Sequence, residues 1–228
     1  MKLVTVAGPP SSGKTAVVIK AIAALQQEGV QVGVVKFDSL STQDQTLYEK
    51  QGVEVTTGLS GNLCPDHFFV SNVGDCLSWG VQKGFDLLVI ESAGLCNRCA
   101  PHIQDVLAVC VIDNLSGVDT PKKIGPMLKM ADVVVITKGD IVSQAEREVF
   151  AHRVRQVNTQ AVIMHVNGLT GQGGYELGRL LLNASETTDL EGKLLRFSMP
   201  AALCSYCLGQ RRIGSDFQMG NVKKMDFR

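Results

Sequence analysis

Short aliphatic runs recur along the chain, separated by longer stretches whose apolar residues fall at helical spacing. LVTVA (residues 3–7), QVGVVKF (31–37), FDLLVIE (85–91), LAVCVID (107–113), ADVVVIT (131–137) and QAVIMHV (160–166) predict buried strands. VEVTT (53–57) alternates and predicts a shorter strand. Between them, AVVIKAIAALQQEG (16–29) has helical periodicity and stops at Gly29, and SNVGDCLSWGVQKGF (71–85) is a helix with a glycine stop. KKIGPMLKM (122–130) predicts a helix opened by Pro121. SQAEREVFAHRVRQVN (143–158) is amphipathic, with Ser143 as N-cap and Glu146 three residues on as its capping-box partner. YELGRLLLNA (175–184) follows Gly173 and Gly174. Strands alternating with helices predict an α/β fold: a doubly wound, mostly parallel sheet with helices on both faces and ligand at the carboxyl ends of the strands.

The loop after the first strand carries G-x-x-x-x-G-K-T as Gly8, Gly13, Lys14 and Thr15. In that pattern the backbone N–H groups from Gly8 to Ala16, those of Ser11, Ser12 and Gly13 among them, close on phosphate oxygens. Lys14 reaches the β/γ-phosphates and the Thr15 hydroxyl binds Mg²⁺. A chance glycine-rich turn is the plainer alternative, but the strand before it and the helix after it are the context that a phosphate loop requires. The acidic loop 38–44 (DSLSTQD) leaves the second strand, where Asp38 and Asp44 can hold Mg²⁺-bound waters or orient an attacking water. A solvated loop is the alternative there. FDLLVIE ends in Glu91, placed to face Mg²⁺ and the γ-phosphate through water, and Gly94 can offer its backbone N–H to that phosphate, which makes 92–94 a second switch. ADVVVIT runs into T-K-G-D: Asp140 can accept from guanine N1–H and N2–H₂ while the Lys138 stem packs along the ring, with Thr137 where Asn is usual. Adenine lacks those donors, so GTP is favoured over ATP. NGLTGQGG (167–174) is placed to close over the base.

With 228 residues, the chain has length for one large domain, or one domain and a small appendage. Lys plus Arg and Asp plus Glu balance at 22 each, so no basic face for nucleic acid is expected. No apolar run approaches the ~20 residues that span a bilayer, and the start lacks signal-peptide features, so a cytoplasmic protein without membrane contact is expected. In a reducing compartment the seven cysteines argue for ligands or packing rather than disulfides. Cys76 and Cys110 lie in apolar surroundings and are expected in the core, whereas Cys64, Cys96, Cys99, Cys204 and Cys207 lie in turn-like sequence and are ligand candidates. Cys64 and His67, spaced by Pro65 and Asp66 in an expected rigid turn, form half of a site for Zn²⁺ or Ni²⁺; a solvated histidine is the alternative. Cys96, Cys99 and His102 offer three ligands beside the second switch, completed by Cys64 or His67, with a redox pair as the competing reading. His165 is expected to pack in the core and His152 to lie on the surface.

From about residue 186 the periodicity ends, which divides the chain into 1–185 and a linker and extension at 186–228. So short a tail either packs on the main domain or is held by metal. Its Cys204 and Cys207 can meet Cys96 and Cys99 in a four-thiolate site, within one chain or across a dimer, suited to Zn²⁺ or an iron–sulfur cluster.

Over residues 1–185 the motifs, in order, resemble the nickel-insertion GTPases of hydrogenase and urease maturation, the HypB/UreG type. These belong to the dimeric P-loop class (SIMIBI) that includes the signal recognition particle GTPases. The resemblance rests on the phosphate loop, F-D-S-L-S-T-Q-D with Ser41 where Thr is usual, and V-E-V-T-T-G before a Cys-Pro turn. It continues through E-S-A-G and D-T-P-K-K-I-G-P-M-L-K-M-A-D-V-V-V-I-T-K-G-D. In that family a Cys-Pro-His or Gly-Cys-Pro turn ligates metal at the dimer interface; here the turn is Cys64-Pro65-Asp66-His67, one residue longer, with a second at Cys99-Ala100-Pro101. The family's His-rich or Cys-rich N-terminal metal tail is absent, and the C-terminal Cys204/Cys207 segment is outside its pattern. The resemblance implies a homodimeric GTPase using GTP/GDP and Mg²⁺. It would carry nickel or zinc to a client metalloenzyme or its maturation factors, with Lys14, Asp38 and Glu91 serving catalysis. A small-molecule P-loop kinase or ligase, and an activator carrying an iron–sulfur cluster, are the competing functions.

Overall fold

The computed structural model describes residues 1–94, 101–198 and 209–227. Seven strands form its sheet: β1 (Lys2–Ala7), β2 (Val32–Asp38), β3 (Glu54–Leu59), β4 (Leu87–Glu91), β5 (Leu107–Asp113), β6 (Val133–Thr137) and β7 (Val162–His165). They are ordered β3-β2-β4-β1-β5-β6-β7, and every pairing is parallel. The helices are α1 (Lys14–Gln27), α2 (Asp44–Glu49), α3 (Pro65–Lys83), α4 (Thr120–Ile124), α5 (Pro126–Lys129), α6 (Gln144–Val157) and α7 (Gly174–Leu182).

Continuous apolar runs suit the inner strands because helices cover both faces. Along β1, Leu3 joins the core beneath α3, whereas Val4 and Val6 join the core beneath α1 and α7. A third cluster packs Cys110, Ile112 and Ile136 under α4, α5 and α6. Cys76 and Cys110 are both fully buried, as their apolar neighbours predict. β1 lies between β4 and β5, so the chain departs from it in two directions, leaving a crevice at its carboxyl end.

Two local readings of the sequence are corrected. The stretch from Cys64 to His67 is the start of a helix rather than a separate rigid turn: Cys64 is the N-cap of α3 and Pro65 its first residue. Proline is well suited there, because its missing N–H would have no partner within the helix anyway. Second, residues 122–130 do not make one helix. Gly125, at φ 62°, ends α4, and Pro126 opens α5. The capping box at Ser143 and Glu146 forms as the sequence predicts.

Beyond α7 the described residues pack back on the sheet. Leu190, Leu195 and Ile213 are buried in the core beneath α3, with Met225 and Phe227 packed against it. Arg196 makes a bidentate ion pair with Asp132 at 2.7 Å for both bonds, and it also donates to the carbonyls of Ile103, Val106 and Met130. Leu195 bridges antiparallel to Ile103, and Leu194 to Arg212. Farther on, Asn72 on α3 donates to the Lys223 carbonyl and accepts from the Met225 N–H. No helix among the described residues is long and apolar enough to cross a membrane.

Candidate nucleotide site

The loop between β1 and α1 is shaped by close backbone approaches. A Cβ on Gly8 would lie 2.1 Å from the Val111 carbonyl oxygen, and one on Gly94 only 1.7 Å from that of Gly8, so neither position admits a side chain. Ser11, at φ 59°, holds a left-handed conformation that non-glycine residues seldom adopt. The Lys14 ammonium donates to the carbonyls of Gly8 (3.0 Å) and Pro9 (2.9 Å), and burial pulls it below the usual lysine range. The Ser12 hydroxyl is buried with no hydrogen-bond partner among the described residues. A cation bonded to its own loop, an orphaned hydroxyl and a cradle that any side chain would fill are what a phosphate group fits.

At the carboxyl end of β4, Glu91 is fully buried and fully engaged. Its Oε1 accepts from the Thr15 hydroxyl (2.8 Å) and the Lys36 ammonium (2.6 Å), and its Oε2 accepts from the Tyr48 hydroxyl (2.6 Å). Lys36 also reaches Asp44, again at 2.6 Å. Burial by itself would raise the Asp44 carboxyl, but the Lys36 hydrogen bond and charge more than offset it and hold the group below its ordinary range. Burial, then the neighbouring Glu91 charge, pushes the Tyr48 phenol well above its usual value. Asp38 accepts from the Ser39 N–H and lines, with Thr15, Lys36, Asp44 and Glu91, a cavity of about 440 Å³. Oxygen donors of this kind suit Mg²⁺.

Around α1 lies a second, apolar cavity of about 220 Å³, walled by Gly13, Ala16, Lys138, Ile141, Gly168 and Leu169, with Asp140 also on its lining. The Thr137 hydroxyl donates to the Ser12 carbonyl (2.7 Å), and the Lys138 ammonium donates to that of Ser11 (2.8 Å), so β6 and the phosphate loop are tied together. Lys138 takes the left-handed conformation at φ 55°, and Asp140 is exposed. One flat apolar slot with a carboxylate on its lining can accept a purine whose edge carries N–H donors.

Thus Ser11, Gly13, Lys14, Thr15 and Ala16 of the phosphate loop line one cavity with Asp38, Asp44 and Glu91, Gly94 packs against Gly8, and Thr137, Lys138 and Asp140 line the adjoining cavity. Metal-ligand candidates fare differently. His102 is a correction: it is fully buried, its Nε2 donates to the Met127 carbonyl (3.0 Å) and its Nδ1 accepts from the Thr5 hydroxyl (3.3 Å), so both ring nitrogens are engaged in packing. Burial pulls its imidazole down to about 4. His67 is buried against Gln218 and Asn221, and Cys64 is half-buried. His165 is half-buried at the end of the edge strand β7 rather than packed in the core. Among the described residues no three His, Cys, Asp or Glu side chains group to hold a metal ion. Cys96, Cys99, Cys204 and Cys207 lie outside the described residues.

Sequence reasoning missed three residues that build the site. Lys36 is the lone cation within an apolar strand, a signal legible in its sequence. Tyr48 carried none, because its bond to Glu91 joins residues 43 positions apart. Asn114 donates to the Thr137 carbonyl (2.7 Å) from the end of β5 and supports the base-side tetrad.

Fold and site define a P-loop nucleotide-binding α/β protein. Residues 2–165 match the family described as CobW/HypB/UreG, nucleotide-binding domain, and the chain belongs to that family. It is 47% identical over 226 residues to the uncharacterized protein MJ0120 of Methanocaldococcus jannaschii, covering 99% of this chain and 97% of that one. It is 30% identical over 200 residues to the urease accessory protein UreG of Photorhabdus laumondii, covering 80% and 94%. The fold is similar to that of HypB from Helicobacter pylori in complex with nickel, with a TM-score of 0.64 at 18% identity over 83% of this chain and 91% of that one.

Proposed function

We propose that the protein is a cytoplasmic, homodimeric GTPase that binds a transition metal, nickel or zinc, and delivers it to a client metalloenzyme or its maturation factors. The observation that carries this reading is the continuity of nucleotide site and thiol segment. Gly94 packs against Gly8 and would place a Cβ 3.2 Å from the Lys14 ammonium, and Cys96 follows two residues later. A change in what Lys14 holds is therefore felt where the thiols begin.

In this reading residues 1–185 are the GTPase domain and 186–228 a linker and extension, whose described residues include Leu190, Leu195 and Ile213 in the core beneath α3. Lys14 exchanges the Gly8 and Pro9 carbonyls for β/γ-phosphate oxygens. Asp140 accepts from the guanine edge and the Lys138 stem lies along the ring. Asp38 orients the attacking water, and Thr15, with Asp44 and Glu91 behind it, supplies the oxygens for Mg²⁺. When bound, Mg²⁺ neutralises charge that develops on the phosphates.

The transferred metal is taken by Cys96 and Cys99 together with Cys204 and Cys207. Support comes from the ends of the two segments. Ile103 and Leu195 are bridged antiparallel, the Arg196 N–H donates to the His102 carbonyl (2.8 Å), and the Ser198 hydroxyl donates to the Gly209 carbonyl (3.0 Å). In an antiparallel pair, going backward from Ile103 and forward from Leu195 leads to the same side. Cys64 and His67 are the secondary candidates.

Isothermal titration of anaerobic, metal-free protein with Ni²⁺ and Zn²⁺, in GDP and again in a non-hydrolysable GTP analogue, tests the coupling. Metal affinity should differ between the two nucleotides, and the metal should alter nucleotide affinity by the same factor, because linkage is reciprocal. Loss of stoichiometric metal in Cys96→Ala/Cys99→Ala, with GTP binding retained, is expected. Metal affinity that ignores the nucleotide would overturn the switch, and a brown, oxygen-sensitive protein would favour a cluster-carrying activator.

A further inference from the structure

Lys36 is the residue whose surroundings the nucleotide reading leaves unexplained. It lies on β2, directly across from Glu91 in the parallel register, and its side chain is 4% exposed. Its ammonium sits 2.6 Å from both Asp44 Oδ2 and Glu91 Oε1. That Oε1 also accepts the Thr15 hydroxyl proton, so Thr15 keeps its lone pairs available to a cation while Lys36 takes the space between the two carboxylates. Lys14, Asp38 and the Tyr48 hydroxyl complete the polar groups around this cage.

Resting on the nucleotide site proposed above, we propose that Lys36 is a resident counter-cation that stands in for the divalent ion. It clamps Asp44 to Glu91 while the site is without nucleotide and is displaced when a divalent cation enters with the triphosphate. Two observations, and one consequence of the proposed nucleotide site, support this. The ammonium lies between the oxygens through which a divalent ion would be held, and two cations in one small cage repel each other. Of its partners, Glu91 is fully buried and bound by three donors, whereas Asp44 is 26% exposed at the start of the short α2, so the Asp44 contact is the one that can open. Finally, the phosphates bring fresh anionic partners within reach of the same cavity, so the released ammonium is not left uncompensated. Lys36 is thus a positioning residue: it makes divalent-ion binding depend on nucleotide, and it ties loop 38–44 to the sheet until both arrive.

The test uses Mn²⁺ as the spectroscopic probe, followed by electron paramagnetic resonance on full-length, nucleotide-free protein. Lys36→Gln leaves Asp44 and Glu91 without their counter-charge and should bind Mn²⁺ at least tenfold more tightly than the parent, while Lys36→Arg should behave like the parent. Equal Mn²⁺ affinity in parent and Lys36→Gln overturns the proposal. Because Lys36→Gln removes a buried ion-pair partner and can fail to fold, the parent is also followed by ¹⁵N NMR of its lysine ammonium groups. The Lys36 signal should shift when Mg²⁺ and a non-hydrolysable GTP analogue are added together, and stay in place with millimolar Mg²⁺ alone. A signal unmoved by the pair, with nucleotide binding confirmed by titration, overturns the proposal, as does one shifted by Mg²⁺ alone. If nucleotide does not bind at all, the function proposed above fails, and the nucleotide-free Mn²⁺ comparison still decides the role of Lys36.

Discussion

A histidine sealed between β1 and α5 is a liability in acid. His102 is neutral in the fold, held near 4 by burial, whereas in the unfolded chain it takes up a proton near 6.5. The unfolded state therefore binds more protons as pH falls, so this contribution to stability is intact above pH 6.5 and is lost progressively down to pH 4. It amounts to about 3 kcal/mol. Urea unfolding of the parent should show that decline, and the stability gap between parent and His102→Gln should narrow as the pH drops from 7 to 4; a gap independent of pH would refute it. In the proposed function a single carboxylate, Asp140, reads guanine. Replacing Asp140 with Asn removes charge-assisted acceptance worth ~3 kcal/mol, so GDP affinity should fall on the order of a hundredfold, and the preference over ADP should collapse. Competition between fluorescent guanine and adenine nucleotides measures it. His102 also shows why a single residue misleads: a histidine three residues after a C-x-x-C has the spacing of a ligand, and only its contacts with Thr5 and Met127 make it a packing residue.

Among the elements, the turn before β6 and the described residues after α7 are bound by polar contacts rather than by extended ladders. Arg196 gathers the carboxylate of Asp132 and three backbone carbonyls into one guanidinium, and Arg196→Ala removes that shared donor, leaving Asp132 only the Ala108 N–H and Ile103 only the Val106 N–H. A loss of about 2 kcal/mol is expected, below that of a fully buried ion pair because Asp132 is 40% exposed. Lys at the same position should recover little, because its ammonium lacks the planar fork. Chemical denaturation of the two variants provides the check. Elements were readable where their signal is local: the capping box of α6 and the apolar runs of the strands needed no tertiary context. The start of α3 was misread because Pro65 suits a turn and a first helical position equally well, and packing of Phe68 and Phe69 beneath the sheet selects the helix.

For the whole molecule, the attachment of the described residues beyond 185 predicts that residues 1–185 do not stand alone. Leu190, Leu195 and Ile213 are buried beneath α3, and uncovering such side chains costs ~1.5–3 kcal/mol each, together comparable to the whole stability of a domain. A chain ending at residue 185 should be insoluble or should melt far below the parent; equal melting temperatures by circular dichroism would contradict this. The linear sequence by itself determined the phosphate-loop motif, the placement of T-K-G-D at the end of a buried strand, the buried strands and hence the doubly wound sheet, because each depends on neighbours close in the chain. Tertiary structure alone decided that Lys36, Tyr48 and Thr15 share Glu91, that His102 and His67 face packing partners, and that the tail closes over α3. Those choices join residues brought together by the parallel register of β2 and β4 and by burial, and neither is encoded in the spacing of any one segment.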